Sequence, residues 1–301
     1  MHRRYFLRIL ATTLLAAKTG ISFSARTTSR LEVLPLWQRG VPGSGGPGGS
    51  MQISPSGAQW NISIPTLTVL SPAQPNGHGV LIAAGGGYRR IEVGKESMPA
   101  AQWLTARGYT AYILSYRLPG EGWSEGNRVS LQDALRALRL IRQREKQLSV
   151  LGFSAGGHLM GMAATRPDFP DYPDYDEWDK KPLTVDRAAL IYPIITLEKP
   201  YTHTSTHHML VGRDAPDSED AAWSVQQYVT PYSPPFFLTQ AENDSISNPQ
   251  NTLIMAAACQ RQHVPLELYR YPTGGHGFGM GRAGTATVEW PGHYETWLKQ
   301  T

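Results

Sequence analysis

Short apolar runs alternate along the chain with longer segments whose apolar residues recur at helical spacing. The runs are rich in β-branched and aromatic residues and are bounded by glycine, proline or polar residues. They predict buried strands over residues 79–84, 110–116, 149–153, 188–195, 236–240 and 266–271. Helical patterns between these runs cover residues 98–109, 129–147 and 249–263, and in the second of them Leu131, Leu135 and Leu138 share one face.

This alternation is typical of a mostly parallel sheet that is covered by helices on both faces. We therefore expect an α/β protein with one main domain over residues 51–301. Residues 26–50 end in GVPGSGGPGGS, a flexible loop that is expected to separate a short N-terminal segment from that domain. Residues 199–235, which are rich in histidine, serine and proline, form a candidate cap over the functional site.

The first 25 residues differ from the rest of the chain. They combine the basic start MHRRYFLR, a modest apolar run and small residues, which together predict an export signal. RRYFLR also resembles the twin-arginine consensus, so we expect a protein that is exported to the bacterial periplasm or secreted. The general export route and a basic tail on a cytosolic protein remain the alternatives.

The overall positive charge comes from this leader. Of the 28 basic residues behind the formal net charge of +4, the leader holds Arg3, Arg4, Arg8 and Lys18, and the rest of the chain balances its basic residues against 24 acidic ones. No basic stripe remains to bind nucleic acid. No segment approaches 18 consecutive apolar residues, so an integral membrane span is not expected.

The stretch GFSAG, residues 152–156, follows the third predicted strand and precedes a helical run. A G-x-S-x-G pattern is common by chance, but its placement between a strand and a helix is the setting of a nucleophile elbow. There the serine adopts a strained backbone at the carboxyl end of a strand. Ser154 is therefore the candidate nucleophile.

A serine hydroxyl needs a base to accept its proton and a third group to orient that base. His276 lies in a glycine-rich loop directly after the last predicted strand, and Asp244 lies at the carboxyl end of the fifth. The chain order Ser154, Asp244, His276 is that of the α/β-hydrolase catalytic triad. Glu242 is the nearest competitor for the acid.

Other reactive side chains favour structural roles. His158, on the helix after the elbow, is expected to be packed or hydrogen-bonded locally, and His207 and His208 are expected at the surface. The single cysteine, Cys259, excludes an intramolecular disulfide and lies in a helical pattern where a buried, inert thiol is expected.

The glycines of AAGGGYRR follow the first predicted strand and leave room for backbone amides to approach a substrate. Gly86 and Gly87, together with Ala155 after the candidate nucleophile, are the expected donors of an oxyanion hole. The neighbouring Tyr88 is a candidate substrate-binding residue. This stretch matches neither G-x-G-x-x-G nor G-x-x-x-x-G-K-[ST], the glycine motifs that cradle nucleotide phosphates, so we expect no nucleotide cofactor.

Residues 166–180, RPDFPDYPDYDEWDK, form an irregular loop because their prolines prevent a continuous helix. A solvated loop is the simplest interpretation, and a sugar-binding platform that uses Trp178 is the alternative. The carboxylates do not have the spacing of a twelve-residue calcium loop, so no metal is assigned.

Several motifs together resemble a known family. GGGY, DALRALRLIR, GFSAGGHL, LIYPII, PPFFLTQAEND, NPQNT and GGHGFGM occur in the order and spacing of the small secreted α/β-hydrolase esterases related to acetylxylan and acetyl esterases. The resemblance covers roughly residues 34–299. Ala84 stands where lipases have the histidine of HGGG, and Asn243 replaces the first of two adjacent aspartates that the family commonly has.

The resemblance implies a serine carboxylesterase that acts on short acyl esters, often acetyl groups of plant cell-wall polysaccharides or oligosaccharides. Its substrate would be an acylated small molecule or an acetylated saccharide. Two alternatives remain open, a peptidase of the same fold and a non-catalytic protein that binds carbohydrate.

Overall fold

The computed structural model describes residues 31–169 and 172–300. The predicted export signal lies outside these residues. Within them, no helix has both the length and the apolar character that a membrane crossing requires.

One eight-stranded sheet forms the centre of the molecule, with the strand order β1-β4-β6-β5-β7-β8-β9-β10. The six strands from β6 to β10 in this order run parallel, whereas β4 is antiparallel to both β6 and β1. A separate two-stranded ribbon joins β2 to β3. The strands are β1 (Leu31–Pro35), β2 (Gln52–Ile53), β3 (Gln59–Trp60), β4 (Thr66–Leu70), β5 (His78–Ala83), β6 (Thr110–Ser115), β7 (Gln147–Phe153), β8 (Arg187–Ile191), β9 (Phe236–Ala241) and β10 (Leu266–Tyr271).

Helices cover the sheet and bury its central strands. Every residue of β5, β6 and β9 is buried, as expected for parallel strands packed on both faces. The helices are α1 (Ser97–Thr105), α2 (Val129–Arg142), α3 (Ala155–Thr165), α4 (Ser205–Leu210), α5 (Asp217–Ala222), α6 (Gln250–Arg261) and α7 (Trp290–Leu298). The predicted α/β fold with a mostly parallel, helix-flanked sheet is confirmed.

The six predicted strands are the six parallel strands, with small differences at their ends. The largest difference is in β8, which ends at Ile191 rather than at residue 195. Tyr192 has a φ of 38°, and Pro193 after it has no amide hydrogen to donate. The chain therefore leaves the sheet there.

The N-terminal segment is part of the main sheet, contrary to the expected separation by the glycine-rich loop. β1 pairs along its whole length with β4, a strand that the apolar pattern did not predict. Leu36 and Trp37, which follow β1, are buried, and Trp37 Nε1 donates a 2.7 Å hydrogen bond to Asp133 of α2. The segment joins the domain because burying these two side chains removes a large apolar area from water.

A buried ion pair fixes the chain after β6. The Arg117 guanidinium lies 2.9 Å from the Asp133 carboxylate, and both side chains are fully buried. Arg117 also donates to the carbonyl of Pro42 at 3.0 Å. This one guanidinium therefore connects the N-terminal segment to the core.

Cys259 lies buried in α6, as expected. Burial raises the pKa of its thiol to about 12, so the thiolate is disfavoured at neutral pH.

Candidate active site

Ser154 occupies a sharp turn between β7 and α3, with φ 52° and ψ −119°. Two glycines make this turn possible. A Cβ atom on Gly152 would lie 2.3 Å from the carbonyl oxygen of Gly156, and one on Gly156 would lie 2.2 Å from that of Ala83. The GFSAG pattern thus reflects close backbone packing, and the strained serine stands at the carboxyl end of a central strand.

The structure brings the three predicted side chains together at this edge of the sheet. Ser154 Oγ lies 2.8 Å from His276 Nε2, and His276 Nδ1 lies 2.8 Å from Asp244 Oδ2. Ser154 and Asp244 are buried, whereas the His276 side chain keeps 20% of its surface exposed. The imidazole therefore stands between a hydroxyl and a carboxylate and still faces the cavity.

Backbone amides hold the Asp244 carboxylate in place. Its Oδ1 accepts hydrogen bonds from the amides of Ile246 and Ser247, both at 2.9 Å, and its Oδ2 accepts one from Gln240 Nε2 at 3.0 Å. These bonds fix the orientation of the carboxylate toward His276.

The neighbouring residues of the ENDSIS run have other partners. Glu242, the competing acid, forms a salt bridge with Arg270 and does not bond to the imidazole. Asn243 Oδ1 accepts a 2.8 Å hydrogen bond from the amide of Gly275, next to His276. Asn243 thus helps to hold the histidine loop by an uncharged contact.

Gly86, Gly87 and Ala155 lie around the nucleophile with their amides available. These three amides donate to no acceptor among the residues that the structure describes. Gly86 has a φ of 123°, and a Cβ there would lie 2.2 Å from the carbonyl oxygen of Arg90, so only glycine fits. The arrangement leaves backbone donors near Ser154 for an oxygen that gains negative charge.

Glu96 is a buried carboxylate at this site that the sequence did not single out. Its Oε2 accepts a 2.6 Å hydrogen bond from the amide of Gly85, and its Oε1 accepts a 2.9 Å bond from the Tyr192 hydroxyl. The Tyr192 hydroxyl in turn accepts a 3.1 Å bond from the amide of Gly279. Glu96 thus connects the glycine loop after β5 to the loop that carries His276.

Burial raises the pKa of Glu96 to about 7, while the bonds from Gly85 and Tyr192 and the nearby charge of His276 oppose that rise. Glu96 therefore changes its ionisation near neutral pH. An ionised Glu96 would stabilise a positive charge on His276 by Coulomb attraction.

Ser154 and His276 line a cavity of about 460 Å³. Residues 204–206 of the candidate cap form one wall, and Ser205 Oγ donates a 3.0 Å hydrogen bond to the carbonyl of Gly87. Ile194 and Ile246 are the aliphatic side chains of the lining, and charged and polar side chains provide most of the rest. The lining thus combines aliphatic surface with polar and charged groups.

Tyr88 and Trp178, the two candidate substrate-binding residues, do not line this cavity. The Tyr88 side chain is buried, and its hydroxyl lies 3.0 Å from His158 Nδ1. Trp178 lies in the irregular loop of residues 166–180, called the acidic loop below. The Lys181 ammonium stands 3.8 Å from the centre of its ring.

The acidic loop packs against α2 through charge pairs. Arg136 forms salt bridges with Asp176 and Asp179, and Asp179 also accepts a 2.8 Å bond from the Tyr172 hydroxyl. In the part of the chain that the structure describes, no group of three or more His, Cys, Asp or Glu side chains is placed to hold a metal ion. Asp176 and Asp179 therefore hold the loop against α2.

Two other histidines that the sequence analysis considered, His158 and His207, are buried. His158 is buried as expected, and its Nε2 lies 2.7 Å from the carbonyl oxygen of Trp223. Burial lowers its pKa to about 4, so it is neutral at pH 7. His207 was expected at the surface, and this was wrong: it is buried, with Nε2 2.8 Å from Asp220 Oδ1.

The fold and the placement of Ser154, Asp244 and His276 define a protein of the α/β-hydrolase class. Residues 69–258, more than half of the chain, match the BD-FAE family model, and the chain belongs to this family.

Relatives and solved structures agree with this assignment. The endo-1,4-beta-xylanase B of Butyrivibrio fibrisolvens is 32% identical over 205 residues, which are 66% of this chain and 32% of the relative. An acetylxylan esterase of Xylanibacter ruminicola is 25% identical over 228 residues, 70% of this chain and 43% of the relative. The crystal structure of an acetyl ester-xyloside bifunctional hydrolase from Caldicellulosiruptor lactoaceticus is 29% identical with a TM-score of 0.75, and the match covers 91% of this chain and 98% of that one.

These matches confirm the resemblance to acetylxylan and acetyl esterases that the motifs predicted. The chain spans less than half the length of the curated relatives named here.

Proposed function

We propose that the protein is a serine ester hydrolase that removes short acyl groups, acetyl above all, from plant cell-wall polysaccharides or oligosaccharides. The observation that carries this proposal is the hydrogen-bonded series Ser154, His276 and Asp244, of which Ser154 and His276 line a cavity. The names of the acetylxylan esterase and the acetyl ester-xyloside hydrolase support the substrate class.

In this mechanism His276 Nε2 accepts the proton of Ser154 Oγ while the oxygen attacks the ester carbonyl carbon. Asp244 accepts a hydrogen bond from His276 Nδ1 and stabilises the imidazolium that forms. The amides of Ala155, Gly86 and Gly87 donate to the carbonyl oxygen as it becomes negative.

His276 then donates its proton to the departing alcohol oxygen, which leaves an acyl group on Ser154. A water molecule attacks this acyl-enzyme with His276 as the base, and the carboxylic acid departs from Ser154. The series from Ser154 to Asp244 thus serves both halves of the reaction.

The first experiment compares the protein with Ser154→Ala on p-nitrophenyl acetate, butyrate and octanoate, and then measures acetate release from acetylated xylan. We expect the highest turnover on acetate and a loss of kcat of about 10⁴- to 10⁶-fold in the variant. The melting temperature of Ser154→Ala is the control for folding, and we expect it to equal that of the wild type.

Two results would contradict the proposal. A folded wild-type protein that hydrolyses none of these esters would favour the carbohydrate-binding alternative. Cleavage of peptide p-nitroanilides without cleavage of the esters would favour a peptidase.

A further inference from the structure

A second cavity, of about 720 Å³, lies beside the one that contains Ser154. Arg89 and Ser205 line both cavities, so the two are contiguous along the edge of the candidate cap. The second cavity is large enough for a further sugar unit. Leu118 and Met209 contribute apolar surface to it, and Arg89, His203, His208 and Arg213 contribute basic groups.

The two arginines of this cavity have no acidic partner. Arg89 and Arg213 are exposed and form no salt bridge with any carboxylate of residues 31–169 and 172–300. By contrast, the exposed Arg90 pairs with Glu92, and Arg107 lies 2.7 Å from Glu295. Two unpaired guanidinium groups at one cavity provide fixed positive charge that a ligand can neutralise.

The pKa of His208, which lines this cavity, also indicates a surplus of positive charge there. Besides partial burial, the charges of Arg213, His207 and His203 lower the pKa of His208. Groups around this cavity thus repel additional positive charge and favour an anion.

Glu121 is the acidic side chain that lines this cavity, and its oxygens are already engaged. It accepts hydrogen bonds from the amides of Asn61 and, at 2.9 Å, Ile62. The Glu121 oxygens thus bond to backbone amides and not to Arg89 or Arg213.

We propose that this second cavity binds the carboxylate of a uronic acid unit in the saccharide whose acyl group lies at Ser154. The inference rests on the proposed function and narrows its substrate class from acylated saccharides in general to acidic ones. A guanidinium matches a carboxylate by two parallel hydrogen bonds, and among cell-wall sugars the uronic acids carry that group.

The test measures inhibition of p-nitrophenyl acetate hydrolysis by two unacetylated ligands of equal length, a glucuronosyl xylo-oligosaccharide and a neutral xylo-oligosaccharide. We expect the acidic ligand to have an inhibition constant about tenfold lower at low ionic strength, and the ratio to shrink as salt is added. An oligogalacturonate forms a third arm, because it carries the same carboxylate on a different chain. Stronger inhibition by either acidic ligand supports the proposal, and the stronger of the two identifies the source of the uronic acid.

The double variant Arg89→Gln with Arg213→Gln should bring the ratio of acidic to neutral inhibition close to one. Arg261→Gln is the matched control, because Arg261 is exposed at the end of α6 and lines neither cavity. The control should keep the wild-type ratio. Equal inhibition by acidic and neutral ligands in the wild type, or a ratio that survives the double variant, would overturn the proposal.

Failure of the two proposals can be distinguished. If the protein releases acetate from neutral acetylated xylo-oligosaccharides without any preference for acidic ligands, only the uronic acid site is wrong. If it hydrolyses p-nitrophenyl acetate but no acetylated saccharide, the proposed substrate class is wrong, and the inhibition ratio still tests the cavity. Calorimetric titration with the same oligosaccharides gives that ratio without any turnover.

Discussion

Among residues 31–169 and 172–300, two histidine–aspartate pairs have the same 2.8 Å contact and different surroundings. In the first, His276 and Asp244 meet at the cavity, and the second ring nitrogen of His276 faces Ser154 Oγ. In the second, His207 and Asp220 are both sealed from solvent, and the Nδ1 atom of His207 has no hydrogen-bond partner among the described residues. A histidine–aspartate pair alone therefore does not define a catalytic site. The site also needs a hydroxyl at the second ring nitrogen of the histidine and access to a cavity.

The second pair instead holds the candidate cap together. His207 lies on α4 and Asp220 on α5, so their contact joins the two short helices beside the cavity wall at residues 204–206. A helix of about six residues is too short to be stable alone. The buried pair therefore contributes to the shape of that wall.

The largest expected effect is the difference in kcat between an aspartate substitution in the first pair and one in the second. We expect Asp244→Asn to lower kcat by about 10⁴-fold, because the amide no longer orients the imidazole as the carboxylate does. Asp220→Asn should change kcat less than threefold and lower the melting temperature by about 3–8 °C, because a buried hydrogen-bonded partner is weakened. Kinetics on p-nitrophenyl acetate and thermal unfolding of both variants measure this difference. Loss of kcat in a folded Asp220→Asn protein would contradict it.

The sequence predicted the first pair and missed the second for a physical reason. Asp244 and His276 follow strands, and the carboxyl ends of parallel strands must meet at one edge, so their position along the chain already limits where they lie. His207 lies in a polar stretch whose burial depends on packing between α4, α5 and the core, and no local pattern records that packing.

Glu96, inside the site, was missed for the same reason: no local sequence pattern records the packing that buries it. It precedes α1 in a polar stretch, and its partners, Gly85 and Tyr192, come from two other strand ends. β1, at the edge of the sheet, and its neighbour β4 were missed because each has only five residues and so carries only a short alternating pattern. The elbow was found because its serine and glycines lie within five consecutive residues.

A smaller loss of activity is expected from a substitution at Gly87 that disturbs the wall of the cavity beside His276. Gly87 has a φ of 64°, and an added Cβ would lie 2.7 Å from both Cβ and Oγ of Ser205. We expect Gly87→Ala to lower kcat/KM on p-nitrophenyl acetate by about 10- to 100-fold through displacement of the glycine loop.

Gly122→Ala is the matched control for backbone strain. Gly122 has a φ of 77°, and nothing lies within 4 Å of the added atom. Both substitutions carry a strain of about 1 kcal/mol from the left-handed conformation, so both should lower stability slightly. An equal loss of kcat/KM in the two variants would show that strain, and not the glycine loop, is responsible.

The remaining expected effect is on stability and not on turnover, and it should appear in the pH dependence of unfolding. The pKa of Glu96 is about 7 in the folded protein and 4.5 in its ordinary state, so above pH 4.5 the folded protein binds more protons than the unfolded chain. The free energy of unfolding should therefore fall as the pH rises from 4.5 through about 7, by roughly 3 kcal/mol from this group.

Glu96→Gln should remove that slope, since an amide does not titrate. Denaturant unfolding at several pH values between 4.5 and 8 measures the difference between wild type and variant. Glu125→Gln, at a half-buried position outside the site, is the control and should keep the slope. A Glu96→Gln protein with the wild-type slope would assign the pH dependence to another group.

The buried guanidinium of Arg117 also determines where the protein can be cut or fused. The family match spans residues 69–258, yet the hydrogen bond to Pro42 and the contact of Trp37 with Asp133 lie before it, and His276 lies after it. A fragment trimmed to the matched region would keep the elbow, lose the imidazole and leave a buried charge with fewer partners. The family match is shorter here than the unit of folding, so the ends of any chimera or minimal fragment are better chosen from the hydrogen bonds than from the bounds of that match.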